Sequence, residues 1–175
     1  MSFMVVSDDL SGAAGMASLL SRGIKVIPMH RIKNVSVYND SIISIDLETR
    51  NSIEVREKLD LMRGEFPDYE IITRIDTLLR GSTIQFIEYL SRFSDIALTD
   101  TIPDYGRYTY KGYTVYRGNR HNLNQVVPDN ARKKVFIFDS RTYDDLKIIA
   151  EQCMNRGLIP VDPGPLIKIY LEMLK

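Results

Sequence analysis

The stretch FMVVSDDLSGAAG, residues 3–15, decides the fold. Its first four residues form a continuous apolar run, which is typical of a strand buried on both faces in a parallel sheet. Two aspartates and a series of small residues follow, so the strand leads into a turn and then a helix that begins near Gly12. A strand, a turn and a helix in this order predict an α/β protein.

The same alternation continues along the whole chain. Further short runs rich in Val and Ile predict strands at 24–29, 41–45, 70–75, 96–99, 135–138 and 158–161. Segments with apolar residues three and four apart predict helices at 12–21, 52–63, 82–92, 143–156 and 165–174. We therefore expect a doubly wound, mostly parallel, Rossmann-like sheet with helices on both faces.

Residues 104–128 interrupt this pattern. They contain three glycines and five tyrosines and show no helical period. We interpret the segment as a β-hairpin excursion near the edge of the sheet, and long segments of this kind often carry function.

Composition limits the classes of function. With 175 residues, 44% of them hydrophobic, the chain suits a single domain over 1–175. Its 23 basic and 23 acidic side chains cancel, which disfavours nucleic acid and membrane surfaces as partners and favours a small ligand. Cys153 has no second thiol for a disulfide or a cysteine zinc site. Neither a long apolar run nor a signal peptide is seen, so we expect a cytoplasmic protein.

Acidic residues follow several predicted strands, at the edge where open α/β sheets bind ligands. An aspartate in this place commonly caps a helix or starts a turn, which is the simpler interpretation for each one alone. Asp8 and Asp9 differ, because adjacent carboxylates repel unless a cation or a donor-rich ligand lies nearby. Ser11 and Gly12 follow and let a ligand approach the helix N-terminus. Neither a dinucleotide fingerprint nor a Walker A loop is present.

A second cluster, TRIDTLLRGS over residues 73–82, combines Arg74, Asp76, Arg80 and Gly81 where a strand leads into a helix. Arginine can hold a carboxylate or a phosphate by two parallel hydrogen bonds. Alternatively, the two arginines pair with Asp46 or Asp76 as surface ion pairs that contribute little to stability. The spacing leaves both interpretations open.

Arg50, Gly106 and Arg107 also follow predicted strands, and four arginines facing several aspartates would suit a polyhydroxylated anion. His30 and His121 show no ligand spacing, so no metal site is predicted.

Four motifs, in order along the chain, resemble the N-terminal domain of the four-carbon acid sugar kinases. DDLSGA at 8–13 resembles that family's Asp-Asp-x-Thr-Gly-Ala turn, and TR at 49–50 resembles its Ser-Arg pair. TRIDTLLRG at 73–81 resembles its Lys-Lys-x-Asp-Ser-Thr-Leu-Arg-Gly segment, without the first lysine and the second hydroxyl. PDYGR at 103–107 resembles its Pro-x-x-Gly-Arg turn. A late Gly-Ser-x-Gly-Leu motif appears only as DPGPL at 162–166, which puts coupling to ATP in doubt.

The resemblance implies phosphorylation of threonate, erythronate or a keto-tetronate by ATP with Mg²⁺. It implies that Arg50 and Arg80, with Arg74 or Arg107, hold the carboxylate of the sugar acid. Asp8, Asp9 and Asp76 would then orient its hydroxyls, and Asp9 is the candidate base.

That family binds ATP mainly on a C-terminal domain, which we expect to be absent from these 175 residues. A separate nucleotide-binding subunit would then complete a kinase. Alternatively, the chain is a stand-alone, non-catalytic sugar-acid binding or sensing protein. The sequence leaves the oligomeric state open, including whether the chain forms a homo-oligomer.

Overall fold

We describe a computed structural model of the chain over residues 2–20, 24–34, 41–50 and 54–174. Contacts between Cα atoms divide the chain into two compact units, Met1–Gln85 and Phe86–Lys175. The expectation of a single domain stays a prediction.

The first unit contains a four-stranded parallel sheet with the order β2-β3-β1-β4. Its strands and its two complete helices, in chain order, are β1 (Ser2–Ser7), α1 (Leu10–Leu19), β2 (Val26–Pro28), β3 (Ile42–Asp46), α2 (Val55–Glu65) and β4 (Tyr69–Thr73). A 3-10 helix over Met29–Asn34 follows β2. The strand β1 contains the four consecutive apolar residues 3–6 and is buried along nearly its whole length, as the continuous apolar run predicts.

The second unit contains a three-stranded parallel sheet, β10-β5-β9, and a three-stranded antiparallel sheet, β6-β7-β8. The helix α3 (Thr83–Leu90) lies across the boundary between the units. After it come β5 (Ile96–Leu98), β6 (Tyr108–Tyr110), β7 (Tyr113–Tyr116), β8 (Asn119–Asn122), β9 (Val135–Ile137), α4 (Tyr143–Arg156), β10 (Ile159–Val161) and α5 (Pro165–Met173). Thr109 and Ser140 form an isolated bridge between β6 and the segment after β9.

These elements confirm the α/β class and the hairpin excursion. The parallel strands are divided between two sheets, one in each unit, and the excursion is the antiparallel sheet over Tyr108–Asn122.

Several helix ends follow from local sequence. Thr142 and Asp145 form the capping box that starts α4, in which each side chain accepts a hydrogen bond from the backbone of the other residue. Gly157 ends α4 with φ 67°, a left-handed conformation that glycine adopts without steric cost. Asp162 caps α5 by accepting from the backbone N–H groups of Leu166 and Ile167. The cap expected at Arg22 and Gly23 lies outside the described residues.

The described helices include none that is both long and apolar enough to cross a membrane. Cys153 is buried on α4, and burial raises the pKa of its thiol to about 12.

Candidate functional site

The carboxyl ends of β1, β3 and β4 meet at one edge of the first sheet. The register pairs Ser7 of β1 with Asp46 of β3, and Val6 of β1 with Thr73 of β4, so the three strands end at the same level. The chain that leaves each strand therefore delivers its side chains to a common edge, as the parallel arrangement predicts.

Asp8 and Asp9 form the turn between β1 and α1. Asp9 is the N-cap of α1 and accepts from the backbone N–H of Gly12 at 2.8 Å and from the hydroxyl of Ser11 at 2.9 Å. Asp8 is almost fully buried, and its backbone carbonyl accepts from the N–H groups of Thr49 and Arg50 at 3.0 Å each. The two carboxylates thus have different surroundings despite being adjacent in sequence.

Arg50 brings these aspartates together with a third one. Its Nη2 lies 3.1 Å from Asp8 Oδ1, 2.9 Å from Asp9 Oδ2 and 3.3 Å from Asp76 Oδ1. Burial alone would lower the pKa of Arg50, but the hydrogen bond and charge of Asp8, followed by the charges of Asp9 and Asp76, outweigh it and raise the pKa. The guanidinium is therefore a fixed cation that offsets the repulsion between the three carboxylates.

Asp76 and Arg80 form the second part of the cluster. Arg80 donates from Nε to Asp76 Oδ2 at 2.9 Å and from Nη2 to Asp76 Oδ1 at 3.2 Å. The backbone N–H groups of Leu78 and Arg80 also donate to this carboxylate. Burial would raise the pKa of Asp76, but the hydrogen bonds from Arg80 and Leu78 and the charge of Arg50 lower it to about 2. Asp76 is thus ionised at neutral pH.

The two glycines of the predicted site allow close approaches. A Cβ added at Gly12 would lie 2.6 Å from Arg74 Nη1, so the absence of a side chain leaves room for that guanidinium. Gly81 has φ 62°, and a Cβ added there would collide with the carboxylate of Asp8. The predicted residues of the first unit, from Asp8 to Gly81, are thereby brought together.

Sequence reasoning missed a pair of hydroxyls beneath this cluster. Thr49 Oγ1 and Ser82 Oγ lie 2.9 Å apart, and Ser82 Oγ also donates to the carbonyl of Thr49 at 3.1 Å. The backbone N–H of Ser82 donates to Asp8 Oδ2 at 3.4 Å. Each hydroxyl is next to a predicted site residue, Arg50 or Gly81, and this adjacency is the signal that could have identified them.

Arg107 and Gly106 lie in the second unit. Arg107 is 4% exposed and donates from Nε to Asp100 Oδ1 at 2.9 Å and from Nη2 to Asp100 Oδ2 at 2.7 Å. Thr114 donates to the same carboxylate at 2.7 Å. Gly106 has φ 64° and ends the short 3-10 helix over Pro103–Tyr105. The structure thus places Arg107 in a buried ion pair, and its role in holding a substrate stays a prediction.

Four buried hydroxyls that the sequence did not reveal tie the excursion to the strand ends of the second unit. Thr99 Oγ1 lies 3.1 Å from that of Thr101, 3.0 Å from that of Thr109 and 2.8 Å from Ser140 Oγ. Thr109 Oγ1 also accepts from the backbone N–H of Asp100 at 2.9 Å. No regular spacing links these four positions in sequence, because they meet only once the chain has folded.

Among the described residues, no group of three or more His, Cys, Asp or Glu side chains is arranged to hold a metal ion.

Two solved structures of DUF1537 proteins, a domain family of unknown function, share the fold. One, from Bordetella bronchiseptica, was solved with bound citrate as a domain-swapped dimer; it has 16% sequence identity and a TM-score of 0.73, and the match covers 98% of this chain and 55% of that one. The other, from Haemophilus influenzae, has 15% identity and a TM-score of 0.71 over 99% of this chain and 57% of that one. The chain thus spans about half the length of these relatives.

No curated protein matches the sequence. Residues 3–130 match the family described as the sugar-binding N-terminal domain. The chain therefore belongs to the family of sugar-binding N-terminal domains, and the resemblance to the four-carbon acid sugar kinases is confirmed.

Proposed function

We propose that this chain binds a four-carbon sugar acid, threonate, erythronate or a keto-tetronate, as the substrate-binding part of an ATP-dependent kinase. The observation that carries the proposal is the convergence of Asp8, Asp9 and Asp76 on Arg50, with Arg80 bound to both carboxylate oxygens of Asp76. An ionised carboxylate only accepts hydrogen bonds, and a guanidinium only donates them. A sugar acid offers the matching groups, since its hydroxyls donate and its carboxylate accepts.

Binding would exchange contacts within the cluster. The carboxylate of the ligand takes guanidinium donors from Arg50 and Arg80, while its hydroxyls donate to the aspartate oxygens released in this way. The buried Nε of Arg50 has no hydrogen-bond partner among the described residues, so the cluster does not use every donor of this guanidinium. The hydroxyl donors keep the released aspartate oxygens hydrogen-bonded, which lowers the cost of the exchange.

The citrate bound to the Bordetella bronchiseptica protein supports this ligand class. Citrate combines carboxylates with a hydroxyl, and these are the two kinds of group that the cluster of the first unit can recognise. That protein is a dimer, which supports the further proposal that this chain associates with itself.

For the phosphoryl transfer we propose a division of work. A nucleotide-binding partner outside these 175 residues supplies ATP and Mg²⁺. Asp9 is the proposed acceptor of the proton from the attacking hydroxyl, since it is the more exposed of the two adjacent carboxylates and a substrate can reach it. Because ATP is supplied in the cytoplasm, the proposal includes a cytoplasmic location.

Isothermal titration calorimetry of the chain tests the proposal. Threonate and erythronate, each in both enantiomers, and a keto-tetronate are compared with threitol and erythritol, which keep hydroxyls and lack the carboxylate. We expect at least one acid to bind, and its polyol to bind about tenfold more weakly or worse, because charge-assisted hydrogen bonds to the arginines are lost. The absence of heat with all of the acids would overturn the proposal.

The alternative function, a non-catalytic binding or sensing protein, shares the ligand and differs only in phosphoryl transfer. Incubation with the bound acid, ATP and Mg²⁺, with and without a candidate nucleotide-binding subunit, followed by ³¹P NMR, separates the two. Formation of a phosphate ester supports the kinase, and binding without any transfer supports the alternative.

A further inference from the structure

A pocket of about 440 Å³ lies in the first unit, apart from the predicted site residues. It is formed after the carboxyl ends of β2 and β3 and beside α2, and it falls within the usual volume range of small-molecule sites. Its lining residues are Met29, His30, Ile32, Lys33, Glu48, Lys58 and Leu61.

The pocket has an apolar side and a cationic side. Met29 and Ile32 are buried, and Leu61 is 39% exposed, so an apolar surface is available to a ligand. Lys33 and Lys58 supply two ammonium groups. Lys33 lies 3.7 Å from the carboxylate of Glu65, and Lys58 lies 3.8 Å from that of Glu54. Both distances are too long for good hydrogen bonds, and exposed pairs of this kind contribute little.

Glu48 supplies one carboxylate to the lining, which offsets part of this positive charge, and His30 engages that carboxylate. The backbone N–H of His30 donates to Glu48 Oε2 at 3.0 Å, and the ring Nδ1 lies 2.8 Å from Glu48 Oε1. Burial alone would raise the pKa of Glu48, but these hydrogen bonds and the charges of His30 and Lys58 lower it. The carboxylate of Glu48 is thus held in place as part of the pocket lining.

Lys58 is held in place by two backbone carbonyls. Its Nζ donates to the carbonyl of Leu47 at 3.1 Å and to that of Glu48 at 3.2 Å, and an ammonium has three N–H groups. Glu48 itself has φ 56°, a left-handed conformation that is uncommon for a non-glycine residue and that often occurs at functional sites.

We propose that this pocket is a second ligand site, which takes a small organic anion with an apolar body. The anionic group lies between Lys33 and Lys58, and the apolar body lies against Ile32 and Leu61. The proposal does not depend on sugar-acid binding, because Lys33 and Leu61 take no part in the cluster around Arg50.

Titration of the ¹⁵N-labelled full chain followed by NMR tests this site. The probes are hexanoate, hexylammonium and hexanol, which share one alkyl chain and differ in charge. We expect hexanoate to shift the amide signals of Ile32 and Leu61 and to bind at least about fivefold more tightly than either other probe. Equal binding of all three would overturn the anion assignment, and an absence of shifts at these amides would overturn the site.

Two exposed positions provide the variants. Lys33→Gln removes one ammonium and should weaken hexanoate binding by about threefold or more. Leu61→Asn should also weaken hexanoate binding, because it removes part of the apolar surface that the alkyl chain contacts. Lys168→Gln is the matched control, because Lys168 also pairs with a glutamate on the protein surface, Glu172, and lies outside the pocket. Unchanged hexanoate affinity in both pocket variants would contradict the proposal. Threonate affinity, measured in parallel, should be unaltered in all three variants.

Discussion

The carboxylate of Asp8 occupies the space in which a side chain at Gly81 would lie. Gly81 also has φ 62°, so glycine is required there by backbone conformation and by the close approach of another residue. Asp8 is thereby brought near Arg50 and the backbone N–H of Ser82. The glycine that follows Arg80 is thus part of the construction of the charged cluster.

Gly81→Ala should destabilise the protein more than a substitution that introduces only the backbone strain. Gly157→Ala is the matched control, because Gly157 has φ 67° and no described atom lies within 4 Å of an added Cβ. We expect the control to lose about 1 kcal/mol of unfolding free energy. Gly81→Ala should lose more than this, since Asp8 must also move. Urea denaturation at pH 7 measures both losses, and equal values would show that Asp8 moves without cost.

Asp76 should make stability depend on pH. Its pKa is about 2 in the folded protein against 3.8 for an ordinary aspartate, so it stabilises the fold fully above pH 4 and loses this effect as the pH falls through 2. Asp76→Asn should therefore be less stable than the wild type at pH 7, with roughly half of the difference remaining at pH 3. Urea denaturation at several pH values between 3 and 7 measures this difference in unfolding free energy.

The control for this pH series is Asp60→Asn. Asp60 is half exposed and lies 3.7 Å from Arg56, so its replacement should change stability little across the range. A stability difference for Asp76→Asn that does not change with pH would contradict the assignment of a lowered pKa.

The edge of the first sheet was largely predictable from the sequence. Continuous apolar runs identify the parallel strands, and the carboxyl ends of neighbouring parallel strands share an edge. The meeting of Asp8, Arg50 and Asp76 follows from that rule alone.

Side-chain pairing was not predictable in the same way. The Nη2 atom of Arg50 reaches three carboxylates at once, which depends on rotamers and on the depth of each turn. Similarly, Arg107 is buried against Asp100, seven residues earlier, because the excursion folds back on the end of β5. Such contacts depend on three-dimensional packing, which the local sequence does not encode.

Arg107 should be required mainly for stability. Arg107→Gln leaves Asp100 buried without its cation, and loss of one partner of a buried pair costs about 3–5 kcal/mol. The double variant with Asp100→Asn should recover part of this loss, because it removes the unpaired charge. Urea denaturation measures the change in unfolding free energy. Full stability of Arg107→Gln combined with lost threonate binding would instead support the substrate contact expected from the sequence.

Arg80 should be required mainly for affinity. Its side chain is 57% exposed, so a ligand can reach it, and its planar guanidinium already makes a two-point contact with Asp76. Arg80→Ala should weaken binding of the sugar acid by about tenfold or more, and Arg80→Lys by less, because lysine keeps the charge without the fork. Arg56→Ala is the matched control, since Arg56 is similarly exposed and also pairs with an aspartate four residues away. Calorimetry should find that the Arg56→Ala variant binds the sugar acid as tightly as the wild type does. If Arg80→Ala also binds as tightly as the wild type, the only role of Arg80 is its ion pair with Asp76.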